Sequence, residues 1–343
     1  MHRLDFLLKG ITKDMLGIEI GPYHQPLVPK CQGYRSFSID VFDTEALRRN
    51  AATDPAISKE QADQIEEVDL IGSAANMAEL VESKGIAGQC DYVISSHNFE
   101  HIPDPIRFLQ GCERALKPNG FVSMALPDKR CCYDYYRPLS MTGDFLEAYF
   151  EKRERPSHAQ IFAADSLNCR LVGNNIESTS FELTTDPELL EPNRDLRQSF
   201  ENWRTSGSGP SDSYRDAHCW AMTPSSFEIV ARDFHFLGLS KLGLESVSGT
   251  HGNEFYVRLV NGTPPPEASQ FYECRAGLLR EIATPCHNGS FKQRNADLEA
   301  EIAAIKLSRS WRWTEPLRWV RTFLGQNRSS YPAQPERTFR ALS

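Results

Sequence analysis

Three short clusters have residue types and spacings that could do chemistry. The first is Gly17-Ile18-Glu19-Ile20-Gly21-Pro22. A glycine directly after a short apolar run lets backbone come close to a bound ligand. The carboxylate two residues earlier can accept hydrogen bonds from a ligand amine or from backbone. The second is Asp40, at the end of the run Ser36 to Val41. It lies about twenty residues after Gly21, the offset at which an acid meets ribose hydroxyls in adenosine-binding folds. The third runs from Asp91 through Ser95-Ser96-His97-Asn98-Phe99-Glu100-His101. Here an apolar run ends in hydroxyls, imidazoles and a carboxylate. Taken singly, each has a plain reading: a tight turn, a capping acid, a packed histidine. His97 and His101 share the four-residue offset of a helical metal pair, but Glu100 does not follow the first histidine as in H-E-x-x-H, so no metal site is expected. His97 is the candidate for chemistry and His101 for packing.

These residues need elements to position them. Leu16 to Ile20, Ser36 to Val41, Val68 to Ile71, Asp91 to Ser95 and Phe121 to Leu126 read as five short strands. Phe42 to Asn50 and Pro105 to Leu116 read as helices, the second closed by Lys117-Pro118-Asn119-Gly120. Strands alternating with helices indicate a parallel α/β sheet, which binds ligands at the carboxyl ends of its strands. All three clusters fall at such ends. The alternation breaks at residues 128–222, a long polar and aromatic insertion after the fifth strand, read as a lid because loops of this length are usually functional. It resumes at Thr223, an N-cap followed by Pro224 at the first helical position. Leu239 to Val247 and Glu254 to Val260 then form an antiparallel final hairpin. The expected division is a domain over 1–262 and a tail over 263–343. The tail holds the stiff linker Pro264-Pro265-Pro266, a short coiled coil around Leu298, Ile302 and Ile305, and a basic, tryptophan-rich end.

Composition narrows the function classes. The chain has 343 residues and a formal net charge of -8, so a non-specific nucleic-acid surface is not expected. Nine cysteines without a C-x-x-C pair read as reduced thiols of a cytoplasmic protein. No apolar run approaches the length of a membrane span.

Together the clusters resemble a class I S-adenosylmethionine-dependent methyltransferase, of the subgroup with E-I-G-P and S-H-x-x-E-H-x-x-D-P motifs. They stand here as Glu19-Ile20-Gly21-Pro22 and as Ser96-His97-Asn98-Phe99-Glu100-His101-Ile102-Pro103-Asp104-Pro105. Arg114 to Gly120 resembles the family's R-x-L-K-P-G-G turn, and Leu126-Pro127-Asp128-Lys129-Arg130 its fifth-strand end. Two positions depart from the pattern. Tyr23-His24-Gln25-Pro26 follows the first glycine where more glycine is usual, and Gly72-Ser73-Ala74 replaces a third-strand acid. The resemblance implies S-adenosylmethionine as cofactor, held by Glu19, Gly21, Pro22, Asp40, Ser73, Ala74 and Ser96.

A hydroxyl acceptor must lose a proton near the transition state, which suits histidine. His97 is the expected base, with Asp128, Asp134 and His218 as alternatives. Arg130, Asp134 and Arg137 are candidates for the acceptor, the arginines for an anionic part of it. Ser308 to Arg318 resembles the S-x-S-W-R-x-T-x-P-L-R segment of bacterial surface-polysaccharide enzymes. It implies a sugar or related glycan acceptor, and a glycosyltransferase or inner-membrane surface as a contact for residues 305–325. A non-catalytic scaffold of a glycan-assembly complex on the same fold is the competing reading.

Overall fold

The computed structural model describes residues 3–55, 57–173, 176–206 and 215–283. In chain order these form α1 (Arg3–Leu7), β1 (Leu16–Ile20), β2 (Arg35–Asp40), α2 (Thr44–Thr53), α3 (Lys59–Asp63), β3 (Leu70–Ile71), α4 (Met77–Ser83), β4 (Cys90–Ser96), α5 (Pro105–Ala115) and β5 (Leu116–Pro127). The insertion holds α6 (Thr142–Glu151), α7 (His158–Ser166), β6 (Cys169–Gly173), β7 (Ile176–Ser178), β8 (Leu190–Pro192) and α8 (Leu196–Ser206). Then come α9 (Pro224–Phe236), β9 (Leu242–Val247), β10 (Glu254–Asn261) and α10 (Ala268–Ala283).

The central sheet has the order β3-β2-β1-β4-β5-β10-β9. Its first five strands are parallel, and β10 runs antiparallel between β5 and β9. This is the Rossmann-like sheet with the antiparallel final hairpin that the sequence predicts. Strand order reverses between β1 and β4, so the crevice for a ligand opens at their carboxyl ends.

Alternation along β4 feeds two cores. Tyr92 and Ile94 pack with Phe6, Leu7 and Phe121 on one face. Val93 joins Met77, Ile106, Leu109 and Phe227 on the other. The helices start where their caps dictate. Asp104 caps α5 through Arg107 N, and Thr223 and Ser226 form a capping box at α9. Lys117 to Gly120, expected as a turn, is instead the start of β5, with Asn119 at φ 62° and a register shift against β4.

The insertion is not one loop. α6 joins the helical layer, where Phe145 stacks on Trp220 at 4.1 Å. β7-β6-β8 form a small antiparallel sheet. The first compact unit runs to Ala283, past the expected boundary at 262, because α10 packs on α9. Phe236 stacks on Phe271 at 3.8 Å, and Arg275 pairs with Asp233 at 2.8 Å. The expected coiled coil and basic tail lie outside the described residues.

Candidate active site

A cavity of about 630 Å³ opens at the carboxyl ends of β1, β2 and β4. One end is backbone-rich. Gly21 sits at φ 56°, and its N–H donates to Ile39 O at 2.9 Å, tying the turn after β1 to β2. A Cβ there would come within 2.1 Å of Asn98 Oδ1. Asn98 in turn donates to Ile20 O and Ser96 O at 2.9 and 2.8 Å. Only glycine fits, and the contact locks the β1 turn to the β4 end. Pro22, Tyr23 and Asp40 line this end, as do Ser73 and Ala74.

Asp40 holds Phe42 N through Oδ1 at 3.0 Å, and burial pushes its carboxyl pKa up. Glu19 also borders the cavity, but its oxygens accept from Leu27 N at 2.6 Å and Val28 N at 3.2 Å. It therefore pins the loop after Gly21. Burial raises its pKa to about 7, against the pull of those two N–H groups. Ser73 caps the turn Ala74–Asn76 through Ala75 N. Ser96 Oγ accepts from Arg3, which also pairs with Glu254 at 2.8 Å. Arg3 lines the cavity, and no motif pointed to it.

The other end is built of imidazoles and carboxylates. His97, in the left-handed region at φ 53°, directs Nε2 to Glu254 at 2.7 Å and Nδ1 to Glu100 Oε1 at 3.6 Å. Burial alone would lower its pKa, but the two carboxylates raise it to about 9. A carboxylate beside each nitrogen favours the protonated ring. His97, the base expected from the sequence, lines the cavity with both ring nitrogens facing carboxylates.

His218 has Nδ1 on Asp134 Oδ2 at 2.5 Å and Nε2 on the Tyr133 hydroxyl at 2.6 Å. Asp134 is fixed in turn by Arg137 at 2.7 Å, and Arg137 reaches Cys219 O. Burial would raise the Asp134 carboxyl, but His218 and Arg137 hold it below its usual range. His101 lines the cavity, bonds Asp216 at 2.9 Å and packs edge-on against His218 at 4.6 Å. Its expected packing role thus understates its position.

Several expected positions fall elsewhere. Asp128 is fully buried, capping the turn Lys129–Cys131 and binding Arg130 and Thr250, and neither it nor Arg130 lines the cavity. Asp134, Arg137 and His218 are all buried, and none of the three lines the cavity. From the insertion, Asp216 is the lining residue among those described. Of the insertion read as a lid, Tyr133, Asp134 and Arg137 instead support His218.

The family described as Methyltransferase domain matches residues 1–237. Among solved structures, the chain is similar to an S-adenosylmethionine-dependent methyltransferase from Aquifex aeolicus, at 12% identity and TM-score 0.33, over 73% of this chain and 84% of that one. A second, from Methanosarcina mazei, has 14% identity and TM-score 0.33, over 73% and 94%. The CcbJ methyltransferase from Streptomyces caelestis has 9% identity and TM-score 0.37, over 76% and 96%. A search of curated proteins returned no match.

Proposed function

This chain belongs to the methyltransferase-domain family, and from that premise we propose that it transfers a methyl group from S-adenosylmethionine to a sugar hydroxyl in surface-glycan assembly. The observation that carries the reading is the two-ended cavity at the sheet's switch point. One end has the Gly21 turn and Asp40, which fit an adenosine. The other presents imidazole and carboxylate, which fit an acceptor that must lose a proton.

When bound, S-adenosylmethionine supplies an electrophilic methyl on a cationic sulfur. Asp40 has a second oxygen to accept ribose hydroxyls while Oδ1 holds the strand end through Phe42 N. Gly21 brings the turn's backbone to the ligand, and Glu19 keeps the following loop against it through Leu27 and Val28. Arg3 holds Ser96 and Glu254, closing the floor between the two ends. The wall of His101, with Glu100 and His218 behind it, favours ionisation of the acceptor hydroxyl as its oxygen attacks. Alignment and exclusion of water are the protein's main contributions to such a displacement.

The sugar acceptor is supported by that polar end and by the resemblance of Ser308 to Arg318. In the same reading, residues 305–325 carry the protein to a glycosyltransferase or an anionic membrane surface. The test has two steps. Calorimetry should give S-adenosylmethionine binding by the purified chain. Mass spectrometry of surface glycans from cells with and without the protein should then differ by one methylene. Absence of cofactor binding would leave the scaffold reading in its place.

A further inference from the structure

Glu100 is fully buried, and neither of its carboxylate oxygens has a hydrogen-bond partner among the described residues. Such a charge is costly unless a cation meets it. Three imidazoles face Glu100 Oε1: His97 Nδ1 at 3.6 Å, His101 Nε2 at 3.9 Å and His218 Nε2 at 3.9 Å. Each of those rings has its other nitrogen on an outer carboxylate: Glu254, Asp216 and Asp134 respectively. A ring fixed by a carboxylate on one nitrogen, with the other nitrogen turned to a common point, is the usual outer shell of a metal-bound histidine.

We propose that Glu100, His101 and His218 bind a divalent transition-metal ion of the zinc type at the wall of the cavity. The ligand atoms of these three lie within 4.8 Å of one another. A tetrahedral site with bonds of about 2.1 Å wants them about 3.4 Å apart, so side-chain shifts that close a pair by at most about 1.4 Å complete the set. Two imidazoles and one carboxylate leave a coordination position open, as in catalytic rather than structural sites. Ligation by His218 Nε2 requires the Tyr133 hydroxyl, 2.6 Å away, to give up its hydrogen bond to that nitrogen. The ion also supplies the positive charge that Glu100 otherwise takes from imidazole protons.

Its part in catalysis rests on the methyl-transfer reading. An acceptor hydroxyl held by the ion would lose its proton to bulk solvent at the cavity mouth, which the exposed Asp216 lines. The oxygen then forms its bond to the methyl carbon as the carbon–sulfur bond breaks and the electron pair goes to sulfur.

The experiment strips the full-length chain with a chelator, then titrates it with Zn2+ by calorimetry and with Co2+ by visible absorption. One ion per chain is expected, with Co2+ d–d bands and no thiolate charge-transfer band. His218→Ala should abolish the bands. Asp216→Asn, which alters an outer carboxylate on a half-exposed side chain, should weaken Zn2+ binding by about 10–100-fold. No stoichiometric ion, a thiolate band, or unchanged affinity in a folded Asp216→Asn would each overturn the proposal. S-adenosylmethionine binding is measured on the same preparation. Cofactor bound without metal refutes the ion alone, whereas no cofactor refutes the functional reading.

Discussion

The two ends of the cavity are assembled in opposite ways. The Gly21–Asp40 end comes from consecutive strand ends, residues 19 to 74, held mostly by backbone hydrogen bonds and one close packing contact. The histidine end joins residues 97–101, 133–137, 216–218 and 254 through charged side chains, most of them buried. The first is local and needs little beyond the sheet. The second exists only when the insertion is docked and every buried charge has its partner. Variants at the two ends should therefore fail differently: cofactor affinity at one, turnover and fold stability at the other.

The largest effect is expected at the histidine end. His218→Ala should lower turnover on the order of 10²–10⁴-fold, the range for a positioned group assisting proton removal, while calorimetric affinity for S-adenosylmethionine stays close to wild type. Parallel loss of cofactor affinity would erase the division between the ends.

Arg137→Met leaves Asp134 buried with His218 as its remaining ionic partner. Breaking such a pair costs about 3–5 kcal/mol, read as a lower urea midpoint. An unchanged midpoint would mean that Arg137 does not hold the insertion's buried charge.

The Gly21–Asp40 end makes a pH prediction. Folding raises the Glu19 pKa from 4.5 to about 7. Between those values the folded state binds more protons than the unfolded one, so stability falls as pH rises from about 4.5 to about 7 and levels off above. The expected loss is on the order of 3 kcal/mol. Glu19→Gln cannot ionise and should lack this component when urea unfolding is compared at pH 4.5 and 7.5. Equal slopes in the two proteins would remove Glu19 as its source.

Asp40→Ala should weaken S-adenosylmethionine binding by about 1–3 kcal/mol, the cost of leaving buried hydroxyls unpaired, with little change in the urea midpoint. Unchanged affinity would place the ribose elsewhere in the cavity.

The difference in assembly also explains what could be read in advance. Strand ends announce themselves: Gly21, Asp40 and Ser96 each close an apolar run, and a parallel sheet gathers such ends by topology. The choice between roles at those ends was less legible. Glu19 and Ser73 both line the cavity, and each also accepts backbone N–H groups, Glu19 from the loop after Gly21 and Ser73 from its own turn. A carboxylate or hydroxyl beside a glycine turn looks the same in sequence whether it serves a ligand or a loop. Arg130 and Arg137 read in sequence as anion binders, because a charge near a strand end is ambiguous until its partner is known. Their partners, Asp128 and Asp134, lie two and three residues away.

What the sequence determined by itself is the set of strands in the central sheet, the helices after β2 and β4 and the capped start of α9, because hydrophobic period, turn chemistry and capping are local properties. What only the tertiary structure decided is the histidine end. Glu100 and His218 are 118 residues apart, and Cys219 N meets Glu100 O at 2.6 Å only because the chain returns from the insertion alongside the 3-10 turn Phe99–His101. His97 meets one carboxylate locally, Glu100 three residues on, and the other, Glu254 at the start of β10, only through the fold, and together they raise its pKa to about 9. Ionisation is set by the charges that surround a group in space, and no spacing along the chain carries that information.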